Sequence, residues 1–262
     1  MSAMEGLDIN VRDGAHIIRF VRPEKKNALK SAMYTAIREA IVAADDNADV
    51  TAHVFIGSDG VFTAGNDIGE FADRASGNTA LSDHVQSFIR HLPNVRKPMI
   101  AAVDGLAVGI GTTLLLHCDL VYATPTASLR TPFVNLGLVP EAGSSLLAPR
   151  LMGPRLAFEL LVLGKPFDAD KAVAAGIVNE IVDAEMLEAT ALAAVAQLAA
   201  KPPEAAALSR AMIRGQPAEV VERIDEEIRI FAERLSSPEA VEAFTAFFDK
   251  RAPDFAKLRK SS

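Results

Sequence analysis

The chain has 262 residues, half of them hydrophobic, and a formal net charge of −7. That length suits one large domain, or a domain with an appendage, and supplies enough apolar residues for a sizeable core. The mild acidity and the lack of a basic block speak against nucleic acid, the lone Cys118 rules out an internal disulfide, and no apolar run is long enough to cross a bilayer.

The opening MSAMEGLDIN has neither the charged nor the apolar region of a signal peptide, so a soluble, cytoplasmic protein is expected. LDIN and HIIRF flank Asp13-Gly14, a hairpin turn signal. RPEKKNAL reads as a polar loop, and SAMYTAIREAIVAAD has helical spacing with Ser31 as its cap. AHVFIG reads as a buried strand, VFTAGNDI as a strand entering a tight turn, and LSDHVQSFIRHL as a helix ending before Pro93. PMIAAVDG is a further buried strand, and GLAVGIGTTLLLHCD passes from a glycine-bearing loop into a buried helix. LVYA and ASLRTP are short strands. GPRLAFELLVLG is a helix with Pro154 near its start and Gly164 just past its end. FDADKAVAAGIVNEIV gives a short helix capped by Asp168, stopped by Gly176 and followed by a strand. From about residue 184 strand signals fade, and alanine-rich, charged helical patterns punctuated by Pro202, Pro217 and Pro238 take over. The expected organisation is an α/β core over residues 1–195 and an all-helical region over 196–262.

Two glycine loops and one carboxylate carry the chemistry. FTAGND and LAVGIG each follow a buried strand and turn toward a helix, leaving backbone N–H groups without helical partners. Aimed at one point, two such groups form an oxyanion hole; taken singly, each loop is an ordinary strand-to-helix connection. Neither has the G-x-G-x-x-G spacing of a dinucleotide site or the lysine of a P-loop. In LGLVPEAGSS, Glu141 is either the negative charge that a helix start favours or a base whose apolar surroundings raise its pKa toward neutrality. Cys118 reads as a buried inert thiol and His117 as a satisfied core histidine, and no His or Cys cluster has metal spacing.

RPEKKNAL, AGND, AVGIGTTLL and RTPFVNLGLVPEAGSS together resemble the crotonase, or enoyl-CoA hydratase/isomerase, superfamily. The resemblance implies a spiral of ββα units with an all-helical C-terminal trimerisation part, a homotrimer or dimer of trimers, and an acyl-CoA substrate whose coenzyme A leaves no need for a further cofactor or a metal. It implies that the backbone N–H groups of Asn66 and Ile110 hold the thioester oxygen. Lys25, Lys26, Ala28 and Leu29, with Ala64, Gly65, Asp67 and Ile68, would flank the nucleotide end of the substrate; solvated loop charge is the other account of the lysines. Gly109, Thr113 and Phe133 would be further substrate-binding residues, with residues 71–86 as a candidate pocket wall.

The hydratase pattern has two glutamates, and their places fall here at Thr113 and Phe133. The sequence looks instead like the Δ3,Δ2-enoyl-CoA isomerase branch of peroxisomal type, in which one glutamate, matching Glu141, is the acid/base. The leading expectation is therefore a shift of a double bond from 3-enoyl-CoA to trans-2-enoyl-CoA. An enoyl-CoA hydratase lacking the usual glutamate pair and a non-catalytic acyl-CoA-binding module are the alternatives.

Overall fold

A computed structural model describes residues 5–67, 69 and 83–258. Strands β1 (Leu7–Arg12) and β2 (Ala15–Phe20) form an antiparallel hairpin. Asp13 and Gly14 both take positive φ, 51° and 79°, as its two-residue turn requires. Helix α1 (Ser31–Asp45) follows a loop. Ser31 is its first helical residue rather than its cap, and Lys30 occupies the extended capping position.

Three successive strand pairs then build the core: β3 (Ala52–Ile56) with β4 (Val61–Thr63), β5 (Met99–Val103) with β6 (Leu106–Val108), and β7 (Leu120–Ala123) with β8 (Ser128–Arg130). The first strand of each pair joins one sheet and the second joins another. β9 (Phe167–Asp168) and β10 (Glu180–Ile181) complete the sheets, whose orders are β1-β2-β3-β5-β7-β10 and β4-β6-β8-β9. Neighbours are parallel except β1 with β2 and β8 with β9. Each turn of the chain thus lays one strand on each of two sheets, which is the spiral of ββα units that the resemblance implies. The helices between them are α2 (Asp83–His91), α3 (Ile110–Thr113), α4 (Ser144–Leu161) and α5 (Ala169–Ala174). The buried helix expected after Gly109 is only this four-residue α3, continued as a 3-10 turn over Leu114–His117. α4 is broken at Gly153 (φ 76°, ψ 160°), so Pro154 opens its second half.

Alternation along the central strands explains how the large sheet is covered. Ala15 and Ile17, Ala52, Val54 and Ile56, and Ile100 and Ala102 face helix α6 (Ala184–Ala199) through Leu187, Ala191 and Val195. Ile18 and Phe20, Phe55, and Met99, Ala101 and Val103 face the larger core between the sheets and α1, α2 and α4. A period of two is what a strand buried on both faces produces. Residues 195 and 196 both lie inside α6, which packs on the sheet; the continuous run of helices begins at Ala184.

Helices α7 (Pro203–Arg214), α8 (Pro217–Leu235), α9 (Pro238–Phe248) and α10 (Phe255–Leu258) follow, the first three opening on proline at their first position, where no N–H is needed. α7 is tied to the core by Arg210 and Arg214, whose Nε atoms donate to the two oxygens of Asp119 at 2.9 and 2.8 Å. α9 starts so close to the 134–138 turn that a Cβ on Gly137 would stand 2.6 Å from the Ala240 nitrogen. The tail therefore folds back over the core.

Inside α1, β2 and β3 a polar chain is buried: His16 Nδ1 meets His53 Nδ1 at 2.9 Å, and His53 Nε2 meets Asp45 Oδ1 at 3.1 Å. Burial works to raise the Asp45 pKa, but the His53 hydrogen bond and the N–H groups of Arg96 and Lys97 hold it at about 2. Burial, with His53 beside it, pushes His16 down to about 4, so it is neutral.

Candidate active site

Three segments converge on a cavity of about 80 Å³. The first is the loop after β4. Leu29 N donates to Gly65 O, Asp67 N donates to Leu29 O, and Ala64 N donates to Lys26 O, at 2.8, 3.0 and 2.9 Å. These bonds stitch the 25–29 loop to the 64–67 loop, so Ala28, Leu29, Ala64, Gly65 and Asp67 form one unit. Asn27, fully buried, braces it by donating from Nδ2 to Ser58 O and Val61 O and accepting from the Arg22 amide. Lys25 and Lys26 sit on its exposed rim, and among the described residues neither forms an ion pair. Asp67 accepts from Arg22 Nη1 at 2.8 Å and from the Gly69 N–H at 3.0 Å. Burial opposes ionisation of Asp67, but the Arg22 bond and the Gly69 N–H hold its carboxyl below the usual range. Ile68 and residues 71–82 of the candidate acyl wall lie outside the described residues.

The second segment is the turn from β6 into α3. Gly65 (φ 84°) lies against it so tightly that an added Cβ would be 2.6 Å from Val108 O. Gly109 has φ 56° and ψ −118°, a conformation that glycine adopts without penalty. The N–H of Asn66 lies between paired neighbours, and that of Ile110 is in the first turn of α3; neither donates to another described residue. Asn66 and the Val108–Gly109 edge both line the cavity, and Ile110 follows that edge directly in the chain. The Asn66 side chain points elsewhere, with its Oδ1 accepting from Tyr34 at 2.5 Å.

The third segment carries Glu141, which is 2% exposed. It does not sit in the first turn of α4. Ala142 (φ 57°) and Gly143 (φ 73°) intervene, both left-handed, and reverse the chain so that the carboxyl lines the cavity. Thr113 Oγ1 donates to Glu141 Oε1 at 3.1 Å, while Oε2 is buried with no partner among the described residues. Burial pushes the Glu141 pKa up to about 7; the Thr113 bond opposes this and the nearby Glu227 carboxylate adds to it. A carboxyl that is half ionised at neutral pH can take a proton and return it. Phe133, Leu136, Leu138, Phe231 and Phe244 supply apolar walls, and among the described residues Glu141 is the one ionisable group lining the cavity. Thr113 and Phe133 bring no acid to it.

Two residues brace this loop: His117, read from the sequence as a satisfied core histidine, and Glu227, which escaped that reading. His117 Nε2–H donates to Ala142 O at 2.7 Å, and burial pushes its pKa down to about 4, so the ring is neutral. Glu227 of α8 accepts from the N–H groups of Gly143 and Ser145 at 2.6 and 3.0 Å. A signal for Glu227 exists in the sequence. Buried Val220, Ile224, Ile228, Phe231 and Leu235 form one stripe of α8, and Glu227 stands in it. The pair Phe231 and Phe244 was likewise invisible as a wall, because they share a cavity with residues 64–66 from distant parts of the chain. Phe247 is about half exposed. Cys118 lies outside the site, and burial pushes its thiol up.

A sequence model described as enoyl-CoA hydratase/isomerase matches residues 11–258. The chain is 33% identical over 261 residues to enoyl-CoA delta isomerase 2 of Homo sapiens, covering 96% of this chain and 65% of that protein, so it corresponds to part of a longer relative. It is 32% identical over 252 residues to a protein named "Probable enoyl-CoA hydratase" in Rhizobium meliloti, covering 96% and 98% of the two chains. The crystal structure of an enoyl-CoA hydratase/isomerase from Pseudoalteromonas atlantica superposes with a TM-score of 0.89 at 36% identity, covering 96% of this chain and all of that one.

Proposed function

The chain belongs to the enoyl-CoA hydratase/isomerase family of acyl-CoA enzymes, and within it we propose that this protein is an isomerase moving a double bond from 3-enoyl-CoA to trans-2-enoyl-CoA. One observation carries this reading: among the described residues, the cavity presents a single carboxyl, Glu141. Ionised Glu141 removes a proton from carbon 2. The electron pair moves into the thioester, and the dienolate oxygen accepts hydrogen bonds from the N–H groups of Asn66 and Ile110. The same carboxyl then returns the proton to carbon 4, leaving the double bond between carbons 2 and 3. No atom is gained or lost. A 1,3 shift needs one shuttling group, whereas adding water needs a second to activate the water. Removing one oxyanion donor in such sites costs about 3 kcal/mol of transition-state stabilisation, and here both donors are backbone, out of reach of side-chain exchange.

Lys25 and Lys26, exposed on the stitched 25–29 loop, suit the phosphates of coenzyme A, which is part of the substrate; no further cofactor or metal enters the scheme. Assembly as a trimer or pair of trimers is supported by Met212 and Ile213 on α7, which are 83% and 86% exposed. These exposed apolar side chains do not line the cavity that holds Glu141.

Incubation with 3-hexenoyl-CoA is expected to give conjugated enoyl thioester without a mass change, and trans-2-hexenoyl-CoA is expected to gain no water. Glu141→Gln is expected to abolish the shift while acyl-CoA binding persists. A mass gain of one water on the 2-enoyl substrate, or full turnover by Glu141→Gln, overturns the reading.

A further inference from the structure

The loop that carries Glu141 is held by a carboxylate from a distant helix. Glu227 is 5% exposed, outside the cavity, and both its oxygens are engaged by backbone N–H groups at the start of α4. A carboxylate belongs at such a place, because unpaired N–H groups and the helix dipole favour negative charge there. The residues it grips are the left-handed Gly143 and the second residue of the helix. α8 presses on Gly143 closely enough that an added Cβ would stand 3.0 Å from Val220 Cγ1 and 3.4 Å from Ile224 Cγ1. The 141–145 segment is thus clamped from three elements: by Thr113 of α3, by His117 of the turn after it, and by Glu227 of α8.

We propose that Glu227 is a positioning residue: it locks the left-handed turn that aims Glu141 into the cavity and stands behind that base as a fixed negative charge. This rests on Glu141 being the acid/base. Of the two carboxyls, Glu227 has two N–H donors and Glu141 one hydroxyl, so the charge settles on Glu227 and the exchangeable proton on Glu141. The groups around the pair fit that division. His117 is neutral through burial, Phe231 and Phe244 are apolar, and Arg223, one turn earlier on α8, favours the ionised Glu227. Burial raises the Glu227 pKa, with the Ser145 and Gly143 N–H groups and Arg223 opposing.

The test is to titrate Glu141 directly by 13C NMR on protein labelled at the glutamate carboxyl, assigning its signal by its loss in Glu141→Gln. Wild type, Glu227→Gln and Glu227→Asp are compared, and the pH profile of kcat is recorded alongside. A fixed negative charge holds a neighbouring acid protonated to higher pH, so in Glu227→Gln the Glu141 midpoint and the acid limb of kcat both move to lower pH. The plateau kcat falls about tenfold to a hundredfold, the cost of misplacing a catalytic group by about 1 Å. Glu227→Asp keeps the charge and shortens the reach, so its midpoint stays near the wild-type value while kcat falls. It also serves as the folded comparison if Glu227→Gln does not accumulate. An unmoved Glu141 midpoint in Glu227→Gln, or a midpoint in Glu227→Asp that moves as far as in the glutamine variant, overturns the proposal. The titration needs no substrate, so a chain that leaves 3-enoyl-CoA untouched while the midpoint shifts defeats the isomerase assignment alone.

Discussion

At the scale of single residues, the arrangement turns on which partner each oxygen of Glu141 has. Oε1 takes the Thr113 hydroxyl, and Oε2 is buried with no partner among the described residues. The hydroxyl favours the ionised form, so Thr113→Val is expected to raise the pH at which Glu141 loses its proton and to push the acid limb of kcat/KM upward. Recording that limb for both proteins checks it, and an unmoved limb would show that the hydroxyl has no hold on the base. Thr113 illustrates what a sequence can and cannot offer. Its identity was readable as the loss of one hydratase carboxylate, and its service to Glu141 was not, because 28 positions separate the two. Glu141 itself was legible from its apolar neighbours, although its place before α4 and not in it depended on Ala142 adopting a left-handed φ that alanine seldom takes.

Between elements, close approach is the controlling quantity. The two glycine loops meet where Gly65 leaves no room for a Cβ beside Val108 O. Gly65→Ala is expected to destabilise the fold by about 1–3 kcal/mol, the usual penalty for overpacking, and to lower kcat by parting the two N–H donors. Gly153→Ala is the control. Its φ is also positive, at 76°, but nothing lies within 4 Å of the added Cβ, so only a loss of thermal stability should appear with kcat retained. Measuring thermal midpoint and kcat for both separates crowding from backbone strain. The elements themselves were largely legible: the Asp13-Gly14 turn, the alternating central strands, and the helix stops at Gly164 and Gly176 all follow from local chemistry. Lost to local reading were the side-by-side placing of His16 and His53, which depends on the register of β2 with β3, and the polar member of the α8 stripe. Both are settled by pairing across the fold and not by spacing along the chain.

For the molecule as a whole, buried titrating groups give stability opposing slopes with pH. The Glu141 pKa is raised from 4.5 to about 7, so the folded chain keeps a proton that the unfolded chain releases, and stability declines as pH rises through that window. The full difference is roughly 3 kcal/mol. His16 and His117 are lowered from 6.5 to about 4, so the unfolded chain binds protons that the folded one refuses, and stability declines as pH falls through that window. Glu141→Gln should therefore gain stability over wild type on going from pH 5 to pH 8; urea unfolding of both proteins at the two pH values checks it, and an equal difference at both would refute it. The hydrogen bond from Gly143 to Glu227 joins residues 84 apart, and it has a bearing on how the protein is made. A nascent chain presents the base and both glycine loops well before α8 and α9 exist. Until those helices dock, Glu141 faces water as an ordinary carboxylate, and its loop has neither clamp nor roof. A stalled or clipped product lacking the last helices is then expected to hold Glu141 and both glycine loops without the clamp and roof that enclose them.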